Sequence, residues 1–227
     1  KKGLNRLAWG LRYDGSVSLA RPVTGGWGGG NTGPKVAPGT YGILISANDK
    51  TAMVEVEVMA DPRIEVTRRD LDRQLEAGLE LRDLLSKVHT VLNGTDKMMS
   101  QMKELKKKVT SGSSGDIDVS VAEEKINSTM KLIKEFRDTD LKRPINGLSY
   151  RQRPRLREEI RSLARAIDGT TARPTQPQML RLGVLDGETK AVVIRYNNIV
   201  TNEVAEINDM FRNFPQVLVK QATYGRD

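Results

Sequence analysis

The chain has no cysteine in its 227 residues, which excludes a disulfide framework and any thiolate metal site. That absence fits a reducing cytosol and equally a bacterial periplasm or surface. Aromatics make up only 4% of the residues, so any large core must rest on Leu, Ile, Val and Met. His89 is the sole histidine. A Ser-His-Asp triad would have to use it, and no nucleophile-elbow sequence stands nearby. No apolar run reaches the length of about 18 residues that a membrane-spanning helix needs. No secretory signal pattern opens the chain. Lys1-Lys2 is followed at once by strand-like Gly-Leu-Asn-Arg. The expectation is that residue 1 is not a natural start and that the chain is a piece of a larger polypeptide.

Charge is present in excess of one sign. The formal net charge is +8, and it is uneven. Residues 1–66 hold eight Lys/Arg against six Asp/Glu, whereas residues 137–173 hold ten against five. A basic excess in one segment points to an acidic partner or an anionic surface. It falls short of a nucleic-acid footprint, which needs a denser patch with exposed aromatics for stacking.

Residues 1–62 read as β. Leu7, Trp9, Leu11 and Tyr13 alternate with Arg6, Ala8, Gly10 and Arg12, a period of two with one apolar face. Asp14-Gly15 marks a turn, and residues 21–39 form a Gly/Pro loop. Tyr41, Ile43 and Ile45 alternate in a further strand, and Asn48-Asp49-Lys50 turns it back. Ala52, Val54, Val56 and Val58 then point one way, with Met53, Glu55 and Glu57 on a wet face. Three or four such strands bury too little surface to stand alone.

From Thr67 the period changes to that of a helix. Leu81, Leu84, Val88, Val91, Met98, Met102, Leu105 and Val109 repeat in steps of three and four, predicting a helix over 67–109. Asn93-Gly94 is its weak point. Ser111 to Gly115 is a flexible turn. A second helix is predicted over 118–137 and a third over 153–168, ended by Gly169. A fourth follows Arg173-Pro174-Thr175 and runs to about Phe214. The second and third together match the first in length, so they are expected to lie end to end in an elongated antiparallel bundle three helices thick. A four-helix bundle with short partners is the alternative.

The N-terminal pattern resembles the immunoglobulin-like domain of flagellar hook-capping proteins. It is more similar to the C-terminal region of exported bacterial sortilin-like proteins with BNR-repeat β-propellers. The residues that carry the likeness are Gly3, Leu4, Asn5, Arg6, Trp9, Leu11, Arg12 and Tyr13, then Pro38, Gly39, Thr40 and Tyr41, then Asp61, Pro62 and Arg63. Tyr150, Pro154, Leu156, Arg157 and Arg173-Pro174-Thr175 extend it. Gly10 stands where that family has Asp. The resemblance implies an α+β chain. A small immunoglobulin-like antiparallel β-sandwich would occupy residues 1–63, its first strands upstream of residue 1. An antiparallel helical bundle would occupy residues 64–215, with a tail at 216–227. It also implies an upstream propeller in an exported protein. The function expected is a non-catalytic structural and protein-interaction module, with no cofactor. The alternatives are the scaffold of a hydrolase whose active site lies in the propeller, and a helical adaptor for an anionic partner.

Candidate chemistry is sparse. Gly28-x-Gly30-x-x-Gly33 matches the dinucleotide fingerprint in spacing alone, since Pro34 and a strand follow where a helix is needed. Trp27 among those glycines is either packed into a neighbour or presented as an anchor for a partner. Glu123-Glu124 and Glu158-Glu159 are adjacent on helices and diverge by about 100°, so they read as solvated faces. Arg157, Arg161 and Arg165 form a stripe at four-residue spacing. It is either an ordinary amphipathic face or a dock for an acidic protein, glycan or anionic lipid. With Trp27, these arginines are the candidate partner contacts. His89 has no metal-ligating neighbour at helical spacing and reads as structural. Met98, Met99 and Met102 read as core. Asn93-Gly-Thr95 and Asn127-Ser-Thr129 are glycosylation sequons without consequence in a bacterial source.

Overall fold

The structure, a computed structural model, describes residues 3–4, 6–20, 31–111, 119–144 and 151–225. Thr67 begins its dominant element. The Thr67 backbone is extended, and its hydroxyl accepts the Asp70 amide at 3.2 Å. That satisfies one of the orphan donors of a helix start. The helix it caps, α1 (Arg68–Thr110), runs 43 residues without a break. Asp70 in the first turn and Lys107 and Lys108 in the last complement its dipole. The apolar stripe from Leu81 to Val109 is buried along its whole length. Asn93-Gly94 does not interrupt it. Gly94 instead makes room for a side chain: a Cβ there would stand 2.1 Å from the Tyr196 hydroxyl. The entropy that glycine costs a helix is traded for that close approach.

α2 (Val119–Phe136) buries Ala122, Ile126, Ile133 and Phe136, then widens into a π turn at Arg137–Leu141. α3 (Leu156–Asp168) starts three residues later than its periodicity predicts. Pro154 keeps Arg153 out of the helical region, and the Glu158 carboxylate reaches back to the Arg155 amide at 3.2 Å. Gly169 ends it, its amide returning to the Arg165 carbonyl at 2.8 Å. α4 (Gln176–Asn198) opens on a reciprocal Thr175–Gln178 cap. It passes through a second π turn at Ile199–Val204 into α5 (Ala205–Met210), so the predicted helix to Phe214 is neither uniform nor as long. In each π turn a threonine hydroxyl bonds the carbonyl four residues back: Thr139 to Glu135 at 2.8 Å and Thr201 to Asn197 at 3.0 Å. Such back-bonding distorts helices.

Cross-helix pairs fix the arrangement. Thr110 meets Glu123, Lys106 meets Asn127, Asp96 meets Arg137, His89 meets Arg157 and Gln74 meets the Ile167 carbonyl. α2 and then α3 therefore run antiparallel along α1. Arg181 pairs with Glu159, Arg195 with Asp140 and Lys125 with Glu206. α4 and α5 therefore run antiparallel to α3 and α2. The main core lies between these helices.

Residues 216–225, expected as a tail, return along α4 in extended form and bury Val217 and Ala222. The Asn208 side chain holds both main-chain groups of Val217, at 2.8 and 3.0 Å. Asn197 does the same for Ala222, at 2.9 Å each. Tyr196 donates to the Lys220 carbonyl at 2.9 Å. Side-chain amides thus supply the hydrogen bonds that a neighbouring strand would otherwise supply.

The β part is two separate antiparallel pairs: β1 (Arg12–Asp14) with β2 (Thr32–Lys35), and β3 (Gly39–Ala47) with β4 (Lys50–Val58). The chain is thus mixed α and β, with no sheet wider than two strands among the described residues. β1–β2 sits on α1 and α3. Arg12 pairs with Asp168 at 2.9 Å, and Pro34 lies against Gly78, where a Cβ would stand 2.8 Å from the proline ring. β3 and β4 pair Tyr41 with Val56, Ile43 with Val54 and Ile45 with Ala52. Asn48 and Asp49 both take positive φ, 46° and 63°. That is the pattern of a two-residue type I′ turn, in which Asn and Asp are well tolerated.

Candidate functional site

His89 lies at the junction of the β region and the helices. It is 5% exposed, and its ring faces a different element with each nitrogen. Nδ1 stands 2.6 Å from the Val17 carbonyl and must carry the proton there. Nε2 accepts from the Arg157 Nε–H at 3.2 Å. Burial, offset in part by the Val17 bond and reinforced by Arg157 and Arg161, lowers its pKa to about 4. The Ser16 hydroxyl also lies 3.3 Å from Nδ1, so the neutral imidazole is spent on structural contacts at both nitrogens. Ser86 and Asn93, on the same face of α1, extend the contact. Ser86 Oγ accepts the Val17 amide at 3.1 Å, and Asn93 binds the Ser18 carbonyl and the Ala20 amide at 2.9 and 2.8 Å. A three-rung ladder on one helix thus holds residues 17–20 extended. Asn93, read from the sequence as a weak point and a sequon, is one of its rungs.

The arginine stripe divides. Arg157 is buried, at 7% exposure, and donates to His89 and to Glu158. It is not a partner contact, because its guanidinium is turned onto α1. Arg161 is half-buried, and Arg165 is exposed. Burial, then Arg157 and Arg165, hold Arg161 below the ordinary arginine range. Lys142 stands close to Arg157, on the chain between the first π turn and α3. Burial, then Arg137 and Arg157, hold its ammonium below its ordinary value. Arg143 lies beside it, its amide on Glu158 at 3.0 Å and its Nε buried without an acceptor among the described residues. Nothing in the local sequence marks Lys142 and Arg143, since they belong to no periodic stripe.

Trp27, Gly28 and Gly30 lie outside the described residues. Gly33 is in β2, where a Cβ would stand 2.2 Å from the Asp14 carbonyl, so it serves close strand approach. Glu123 binds Thr110, while Glu158 and Glu159 bind main-chain amides and arginines, so neither adjacent pair converges on a cleft. Met98 and Met102 are fully buried, and Met99 is partly buried against the core. Among the described residues, no group of three or more His, Asp or Glu is placed to hold a metal ion. No described helix is long and apolar enough to cross a membrane.

Two concavities stand out among the described residues. One, about 150 Å³, lies between β2, the start of α1 and the end of α3, walled by Pro34, Val58, Leu71 and Ile167. The other, about 520 Å³, lies between the head of α3 and α4. Its Asp140, Glu159 and Glu188 are each paired to Arg195 or Arg181.

Among the described residues, the β3–β4 ribbon leaves a broad apolar surface unspent. Tyr41, Ile43, Ile45, Ala52, Val54, Val56 and Val58 share one face. Towards the turn that face is open, with Ile45 46% and Val54 51% exposed. On the other face the Leu44–Met53 pair is 67% and 66% exposed. Trp9 covers only the base, meeting Tyr41 edge-on at 5.3 Å. An exposed apolar ribbon leaves strand edges and side chains open to pairing or packing. Compared with protein-family models, curated proteins and solved structures, the chain matches none.

Proposed function

We propose that this chain is a non-catalytic interaction module, the C-terminal part of a larger exported sortilin-like β-propeller protein. In this reading β1–β4 are half of an immunoglobulin-like sandwich, carried on an antiparallel helical bundle. One observation supports it above the rest: a nine-residue by nine-residue ribbon with a continuous apolar face that no described element covers beyond its base. A two-stranded ribbon is marginal in water. A second sheet packed on this face, from elsewhere in the same polypeptide, would supply the missing burial. The helices would serve as a rigid support, with the ribbon held to them through β1–β2 and the His89 ladder.

Hydrogen exchange tests this directly. The β3–β4 amides are measured in the isolated chain and in the longest polypeptide that the native source yields. Strong protection gained only in the longer form supports the reading. Equal exchange in both overturns it, as does a native polypeptide of 25.3 kDa that is monomeric.

A further inference from the structure

His89 stands between the extended segment 16–20 and α3, and its two nitrogens are bound in opposite senses. A carbonyl only accepts and a guanidinium only donates. Nδ1 therefore carries the proton, 2.6 Å from the Val17 carbonyl, and Nε2 offers its lone pair to the Arg157 Nε–H at 3.2 Å. The Ser16 hydroxyl gives its own proton to Asn31 Oδ1 at 2.8 Å, so its oxygen can accept on the Nδ1 side, at 3.3 Å. The charges that face the ring from α3 are Arg157 and Arg161, both cations. No carboxylate touches the ring among the described residues. Glu158 bonds Arg157 instead, at 3.3 Å.

A second proton has one place to go on this ring, Nε2. There an N–H would point at an N–H, and an imidazolium would stand against a guanidinium in a buried interface. On the Nδ1 side the same charge strengthens the contacts with Val17 and Ser16, since a charged donor binds its acceptors more strongly. The ring is thus repelled on one side and held on the other. We propose that protonation of His89 is a switch that expels Arg157 and lifts the head of α3 from α1, while residues 16–20 stay seated on α1. Arg157 has a second acceptor to turn to in Glu158. α3 has a fixed point to turn about, because Gln74 ties its far end to α1. The Gln74 amide donates to the Ile167 and Thr170 carbonyls at 2.6 and 2.7 Å, and neither bond titrates. The device uses no residue of the ribbon and stands whether or not a second sheet covers it.

Falling pH favours opening, because the closed form binds fewer protons. Burial, offset in part by Val17 and reinforced by Arg157 and Arg161, holds the closed form to about 4, against 6.5 for a ring in water. Opening should therefore rise on the order of twentyfold between pH 7 and pH 5.

The test follows the full chain by NMR over that range and on to pH 4. His89 is the sole histidine, so its Cε1–H signal reports its titration without ambiguity. The expected result is that protection at the Glu159 and Ile160 amides, in the first turns of α3, falls about twentyfold by pH 5. The Arg157 Nε–H signal should move with it. The Val17 and Ala20 amides, bound by Ser86 and Asn93, should keep their protection. His89→Gln should abolish the α3 response. An α3 head that stays protected through the His89 titration overturns the proposal. Release of Val17 and Ala20 before or together with the α3 head does so too, as does a His89 titration at its ordinary 6.5. These three outcomes are read in the unmodified chain and do not depend on the variant's folding. An α3 response of equal size in His89→Gln overturns it as well.

Discussion

The stripe of α1 and the β3–β4 ribbon are made of the same kinds of side chain and end in opposite surroundings. Leu81, Leu84, Val88 and Met98 are sealed by α2, α3, α4 and the returning C-terminal segment. Ile45, Val54, Leu44 and Met53 face water. The difference lies in who supplies the cover. A helix of 43 residues has room for successive partners along one face, and this chain provides them. A ribbon needs a sheet or a helix laid across it, and no described element reaches past its base. The helical half should therefore respond to core truncation as a folded domain does, and the ribbon tip should not.

The largest effect is expected at Leu84, which is fully buried in the middle of α1. Leu84→Ala should cost about 3 kcal/mol, the sum of lost transfer and residual cavity. Urea unfolding followed by helix circular dichroism measures it. A loss below about 1 kcal/mol would mean that the α1 stripe is no better covered than the ribbon.

His89 sharpens the comparison at the joint between the two regions. Its folded pKa, about 4, lies below its ordinary 6.5, so between those values the unfolded chain holds more protons than the folded one. Stability from this group is full above about pH 6.5 and falls as pH drops towards 4. The loss is on the order of 3 kcal/mol across that window. His89→Gln keeps a hydrogen-bonding side chain and removes the titration. Its stability should therefore fall less steeply than the parent's over the same range, with the remaining carboxylate titrations common to both. Parallel curves would mean that the Val17–His89–Arg157 bridge is open in solution.

Much of the helical half is legible because its signals are local. Thr67 with Asp70, Thr175 with Gln178, and Gly169 mark helix ends through bonds made within four residues. The three-and-four spacing then gives the buried face. What stays hidden depends on distant partners. Arg157 sits beside Ile160 on the flank of a clean apolar stripe, and only His89, 68 residues away, turns it inward. Among the described residues, the segment 216–225 has no strand to pair with. Many of its hydrogen bonds come from Asn197 on α4 and Asn208 on α5, polar residues that local pattern assigns to solvent. The π turns hinge on single threonine hydroxyls. Of the arginines proposed from sequence, Arg157 is buried, Arg161 half-buried and Arg165 exposed, a gradation that their equal four-residue spacing does not reveal.

Gly94 separates helix propensity from packing. In an exposed helix, Gly→Ala stabilises by up to about 1 kcal/mol. Here the new methyl would meet the Tyr196 ring, which is anchored through its hydroxyl to the Lys220 carbonyl. Overpacking of this kind costs about 1–3 kcal/mol. Gly94→Ala should therefore be destabilising by about 2 kcal/mol, and hydrogen exchange at 217–222 should rise with it, because Tyr196 holds that segment. Stabilisation would mean that α1 and α4 stand farther apart than the geometry indicates.

The smallest effect is the most informative about the ribbon. Val54→Thr replaces one methyl on an apolar face by a hydroxyl and keeps the β-branched shape that suits a strand. At a position 51% exposed, the isolated chain should change by no more than about 0.5 kcal/mol. Were the same face covered by a second sheet, the hydroxyl would lose water without gaining a partner and cost about 1–3 kcal/mol. The pair of measurements, in the isolated chain and in the longer polypeptide, reads the cover directly. A large loss in the isolated chain would place the ribbon against a surface of this same chain and end the contrast with α1. A negligible loss in both settings would leave the face in water in each, and the proposed sandwich would lose its support.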